Sequence, residues 1–328
     1  MGMTRKVKRN TTKAIVTISE AFERFTNEKE ALGKVSKTID NYKKSLGYFM
    51  EHYELNYDTT DINSVTRDLF LGWAADMRED GKSAATINHY LRDCRAFFYW
   101  CMGDDRKYIE PSFKIDMVSA QEPDKKTYSK TDIDRLLKKP KNENDYAEWR
   151  TWVIVNLIYD MGARAGTVLE IQLGDINFKR RTLYLRHTKN KALSHKTISS
   201  YCAKLLKEFV EDWRADAETE DYLFCNVSGE QLTYNALAHS FQRYCKERNV
   251  ERASLHGIRH TFATELAENT NGDMIKVQKA LGHSSIDMAR KYVDIAAVDM
   301  GNYDIISPLS KTKKSNKSRP VKVVKKSK

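Results

Sequence analysis

A chain of 328 residues, 41% of them hydrophobic, is long enough for two ordinary domains, and its five scattered cysteines, odd in number and without a CxxC pair, argue against a disulfide framework. No long apolar run follows the basic start Met1 to Lys6, which excludes a secretion signal or membrane span and predicts a soluble, cytoplasmic protein. The net charge of +11 points to a polyanion, yet it lies at the ends: residues 311–328 carry +9 and residues 1–13 carry +5, which leaves −3 between them.

In chain order, residues 1–16 read as a basic extension and residues 17–105 as a helical unit. Ile18, Ala21, Phe22 and Phe25 have helical spacing, and Ser36 opens a second helix carrying Leu46, Phe49 and Met50. A third, Val65 to Met77, stops at Asp80-Gly81, and Ser83 caps a fourth through Ile87, Leu91, Cys94, Phe97 and Cys101. Bases and amides on this unit (Lys37, Lys43, Lys44, Lys82, Asn88, His89, Arg92, Arg95) suit a phosphate-facing surface or an ordinary solvated one. Periodicity fades over 106–127, around Pro111 and Pro123, and predicts a linker.

From 128 onward helical signals resume. Ser129 with Asp132 has the spacing of a capping box, and Trp149 to Met161 is a strongly apolar helix stopped by Gly162. Two β-type runs, Arg181 to Leu185 and Lys196 to Ile198, flank the polar turn Thr188 to Ala192 and predict a hairpin with lysines at its tip. Helices follow at Tyr201 to Trp213 and Thr233 to Arg248, and a third is capped by Ser254. Met274 to Leu281 is a fourth, stopped by Gly282, and Ser284-Ser285-Ile286-Asp287 starts the one that leads to Tyr292. The expected architecture is mainly α with a small β-hairpin or sheet. A catalytic domain is expected over 128–310 and a Lys-rich tail over 311–328.

The stretch with most chemistry is His256-Gly257-Ile258-Arg259-His260, followed by Leu281-Gly282-His283-Ser284-Ser285 and then Tyr292. His256 and His260 have the i, i+4 spacing of a metal pair, but Gly257 stands where a zinc peptidase needs its glutamate. Arg259 would repel a divalent cation, and it favours a phosphate or carboxylate instead. No metal or other cofactor is expected.

Taken with Arg164 in Gly162-Ala163-Arg164 and Lys189 in Thr188-Lys189-Asn190-Lys191, these elements stand in an order that resembles the tyrosine recombinase (phage integrase) family over nearly the whole chain. The resemblance implies a helical, SAM-like core-binding domain and a catalytic domain that together clamp double-stranded DNA in a C shape. It implies no metal, no nucleotide and no membrane. It implies work on specific sites within a homotetramer, with accessory DNA-bending or directionality factors as further partners.

Residue by residue, the resemblance gives Arg164 and Arg259 the non-bridging phosphate oxygens and Tyr292 the nucleophilic attack that forms a 3′-phosphotyrosyl link. Lys189 would protonate the departing 5′-oxygen, His256 would assist at the tyrosine side and His283 would hydrogen-bond the phosphate. Tyr303 and Lys191 are the rivals of Tyr292 and Lys189, and His260 is read as a packing residue. One departure stands out: the acid usual three positions after the first arginine is replaced by Thr167, with Glu170 or Asp175 as substitutes. The segment from Ile295 to Leu309 is expected to dock on a neighbouring protomer or on its own domain. The implied task is integration or excision of a mobile element. Xer-like multimer resolution, a type IB topoisomerase and a DNA-binding protein without catalysis are the alternatives.

Overall fold

A computed structural model describes residues 16–120, 127–186, 194–282 and 285–294. The chain divides into two units, residues 1–123 and 124–328.

The first unit holds four helices: α1 (Ile18–Ala31), α2 (Ser36–Asn56), α3 (Arg67–Glu79) and α4 (Ala84–Cys101). Their starts follow from local chemistry. Thr17 and Glu20 form a reciprocal capping box, and Thr66 and Ser83 cap α3 and α4 through their hydroxyls. The apolar stripes meet in a core dominated by Phe25, Phe49, Phe70, Trp73, Phe97 and Phe98.

The described part of the expected linker behaves otherwise up to Val118. It has no helix or strand, yet Ile109 and Ile115 are buried in the first unit's core. Asn88 holds Val118 at both backbone groups, donating to its carbonyl and accepting from its N–H at 2.8 Å each. Arg67 pairs with Asp116 at 2.6 Å. Asn88, expected on a phosphate-facing surface, is thus committed to holding this strap, while Lys37, Lys43, Lys44 and Arg92 are exposed.

The second unit is built around α6 (Tyr146–Met161), a largely apolar helix buried on almost every side, with Arg150 and Asn156 among its buried residues. Around it stand α5 (Lys130–Leu137), α7 (Ala165–Leu169), α8 (Ser200–Trp213), α9 (Tyr234–Glu247) and α10 (Leu255–Asn269). Two short helices, α11 (Met274–Leu281) and α12 (Ile286–Val293), pack on each other and on α10. A three-stranded antiparallel sheet, β1 (Ile176–Asn177), β2 (Thr182–Leu185) and β3 (Ser194–Thr197), runs in the order β1-β2-β3. The register Thr182↔Thr197 and Leu185↔Ser194 makes β2 and β3 the expected hairpin, with its tip at 187–193 outside the described residues. No helix among the described residues is long and apolar enough to cross a membrane.

Candidate active site

Gly162 is the joint on which the site turns. It ends α6 in the left-handed conformation at φ 61°, and a Cβ there would stand 2.4 Å from two ring atoms of Phe262 on α10. Only glycine lets α10 come this close. Two residues later Arg164 forms the N-cap of α7, with its backbone extended and its side chain not used as a cap.

Arg259 projects from α10 toward the same turn and is only 3% exposed. Its Nη1 donates to the Gly162 carbonyl, and its Nη2 donates to the Leu281 carbonyl at 3.1 Å. One guanidinium therefore ties the end of α6 to the end of α11. Burial, and next the charge of Arg164, push its pKa down to about 10. A buried arginine beside a second arginine is an arrangement that an anion would relieve.

The start of α10 is fixed from another quarter. The Tyr128 hydroxyl donates to the Arg252 carbonyl at 3.0 Å and accepts from the Ser254 N–H at 2.7 Å, while the Tyr128 N–H donates to Thr261 Oγ1 at 2.8 Å. Its ring lies where a side chain at 257 would go, since a Cβ on Gly257 would meet Tyr128 Cε2 at 2.9 Å. Gly257 is thus explained by close packing.

Tyr292, on α12, is 4% exposed and packs with Ala263, Ala267, Val277, Leu281 and Ala289. Its hydroxyl lies 2.9 Å from His260 Nδ1. His256 and His260 meet edge to face, with ring centroids 4.2 Å apart. Burial pushes the Tyr292 pKa up, and the charges of Arg259 and then Arg164 act against that shift. Among the described residues no group of three His, Cys, Asp or Glu side chains is placed to hold a metal ion.

The phage integrase family pattern matches residues 126–298, more than half of the chain. The chain belongs to the phage integrase family. Among its relatives is the tyrosine recombinase XerD of Listeria monocytogenes serotype 4b (strain F2365), 26% identical over 267 residues, which covers 80% of this chain and 89% of that one. XerD of Pseudomonas putida (strain KT2440) is 24% identical, with coverages of 80% and 88%. The fold is shared with XerH site-specific recombinase bound to a palindromic difH substrate (TM-score 0.65, 20% identity, 85% of this chain and 82% of that one). It is also shared with a lambda integrase dimer bound to a COC′ core site (TM-score 0.66, 16% identity, 85% and 96%). Family and relatives make this chain a site-specific recombinase of the tyrosine type.

Of the six residues singled out in the sequence, Arg164 comes from the N-cap of α7, His256 and Arg259 from α10 and Tyr292 from α12, and the charges of Arg164 and Arg259 both act on the Tyr292 phenol. Lys189 and His283 lie outside the described residues, as do Lys191, Tyr303 and the segment 295–309. Asp175, one candidate for the missing acid, has its carboxylate engaged by Arg186 at 2.9 Å and by the Gln172 N–H at 2.9 Å. That pair ties the residue just after β2 to the turn that precedes β1.

Two residues of the site escaped the sequence reading. His260, read as packing, touches the phenol of Tyr292. Lys196 on β3 reaches across to donate to the Ala280 carbonyl at the end of α11, and burial, then Arg259, lower its pKa. A lysine in a strand whose neighbours are ordinary carries no local signal that its ammonium will be drawn inward. His260 repeats the helix face behind His256, and in sequence that spacing reads as packing.

Proposed function

We propose that this recombinase cuts and rejoins double-stranded DNA at specific sites through a 3′-phosphotyrosyl intermediate on Tyr292. The observation that carries the reading is a buried phenol set under the charges of two arginines, one of them also buried. Arg164 and Arg259 hold the non-bridging oxygens of the scissile phosphate and stabilise the charge of the pentacoordinate transition state. Tyr292 attacks phosphorus, the 5′-oxygen leaves with a proton from Lys189, and the phosphotyrosyl link keeps the strand ready for rejoining. His283 completes the phosphate contacts, and His256 serves at the tyrosine side.

The partner is duplex DNA, a reading supported by structural relatives bound to a palindromic difH substrate and to a COC′ core site. The first unit, with its exposed bases, acts as the core-binding domain, the second as the catalytic domain, and two DNA sites are joined in a homotetramer. Integration or excision of a mobile element is the favoured task, in line with the likeness to a Tn1549 transposon integrase bound to a circular intermediate DNA (TM-score 0.65, 21% identity). The XerD names of the sequence relatives favour resolution of multimers as the second reading. Incubation with a nicked suicide duplex tests the chemistry: wild type is expected to give a protease-sensitive protein–DNA adduct and Tyr292→Phe none. An adduct with Tyr292→Phe would overturn the assignment.

A further inference from the structure

The phenol of Tyr292 has to lose its proton as its oxygen bonds to phosphorus, and burial holds that proton on. Among the described residues, Nδ1 of His260 lies 2.9 Å from the phenol oxygen. His256 stands behind it, its ring edge-on to that of His260 at 4.2 Å between centroids. His260 is one turn further along α10, on the side of the helix that faces α12, and its ring lies tilted against the Tyr292 ring at 5.5 Å. The geometry therefore places His260 where a general base belongs, within hydrogen-bond reach of the proton to be removed.

We propose that His260 accepts the Tyr292 proton during strand cleavage and returns it during rejoining, with His256 orienting the imidazole. This rests on the reading of Tyr292 as the nucleophile. The tautomer required carries its hydrogen on Nε2 and offers the Nδ1 lone pair. In cleavage the Tyr292 O–H bond breaks and its proton passes to Nδ1, the Oη–P bond forms, and the bond from phosphorus to the 5′-oxygen breaks. The 5′-oxygen leaves as a hydroxyl with the proton from Lys189. In rejoining the 5′-hydroxyl attacks phosphorus and gives its proton back to Lys189, the Oη–P bond breaks, and the phenol recovers its proton from His260. Among the described residues, the charged and titratable groups turned toward this pair include His256 and Arg259 on α10 and Arg164 at the start of α7.

The test uses full-length wild type, His260→Asn, His260→Ala and Tyr292→Phe in single-turnover cleavage of a nicked suicide duplex, followed across pH. A parallel duplex has sulfur in place of the bridging 5′-oxygen, so that its leaving group needs no proton. Asparagine keeps a polar group near the Nδ1 position but cannot take the proton. His260→Asn is expected to cleave about 100-fold or more slowly, the scale of a lost general base. The slow rate should persist on the sulfur duplex, and the fall in wild-type rate at acid pH should vanish in the variant. Added imidazole should restore part of the rate to His260→Ala, which a folding defect would not allow. Wild-type rate and pH profile in His260→Asn, or full recovery on the sulfur duplex, would overturn the proposal. Absence of any wild-type adduct would instead overturn the reading of Tyr292 beneath it.

Discussion

Alanine at position 162 probes the joint that sets the two arginines. Gly162 has φ 61°, and a Cβ would lie 2.4 Å from Phe262 Cδ1 and Cε1 and 3.0 Å from Leu281 Cδ2. The left-handed backbone costs a residue with a Cβ about 1–2 kcal/mol. Forcing a methyl into filled space adds about 1–3 kcal/mol. The sum, about 2–5 kcal/mol, is a large share of the 5–15 kcal/mol that holds a domain together. The damage reaches the site, because the Gly162 carbonyl is the acceptor of Arg259 Nη1 and Arg164 is two residues away. Hydrogen exchange of peptides from α6 and α10, read by mass spectrometry, reports the loss where it occurs, and thermal melting reports its total. Phe262→Ala separates the two contributions, since it removes the ring that a Cβ would strike and leaves the backbone cost untouched. The cycle of single and double variants should show a coupling of about 1–3 kcal/mol. Gly162→Ala within about 0.5 kcal/mol of wild type, the range of an ordinary surface change, or strict additivity with Phe262→Ala, would refute the reasoning.

Two further predictions come from contacts found only in three dimensions. Lys196→Met keeps the aliphatic stem but loses the bond to the Ala280 carbonyl and a cation near Arg259; cleavage of a suicide duplex should slow about tenfold or more, equivalent to the roughly 1.4 kcal/mol of one such contact, and an unchanged rate would contradict it. Tyr128 has its pKa pushed up to about 12 by burial, against the Ser254 contact that lowers it. An unfolded phenol ionises near pH 10, so the contribution of Tyr128 to stability is full below that pH and is lost as pH rises through the folded value. Unfolding of the second unit by urea should become easier above about pH 10, and less steeply so in Tyr128→Phe; equal slopes would count against the account.

Much of the fold is local in origin, and it could therefore be read from the sequence. Ser83, Ser129 and Ser254 each accept from a backbone N–H of the first turn they precede, and Gly162 and Gly282 end α6 and α11 in the left-handed conformation. Such signals need only a few neighbouring residues. What the sequence hid is long-range. The strap at 106–118 has no period because extended chain can bury Ile109 and Ile115 singly, held by Asn88 and Tyr99 from α4. Tyr128 clamps a helix start 126 residues away, and no spacing rule connects it to Ser254. In the site, the order of Arg164, His256, Arg259 and Tyr292 was legible as a family resemblance. Which imidazole nitrogen meets the phenol was not, because that depends on how α12 packs against α10.

The central claim is that Tyr292 carries the DNA. Trapping the adduct on a suicide duplex, digesting both components and sequencing the nucleotide-bearing peptide by mass spectrometry tests it directly. The account predicts that the residual nucleotide, attached through a 3′-phosphate, lies on the peptide containing Tyr292. A nucleotide on the peptide containing Tyr303, or attached through a 5′-phosphate, would contradict it.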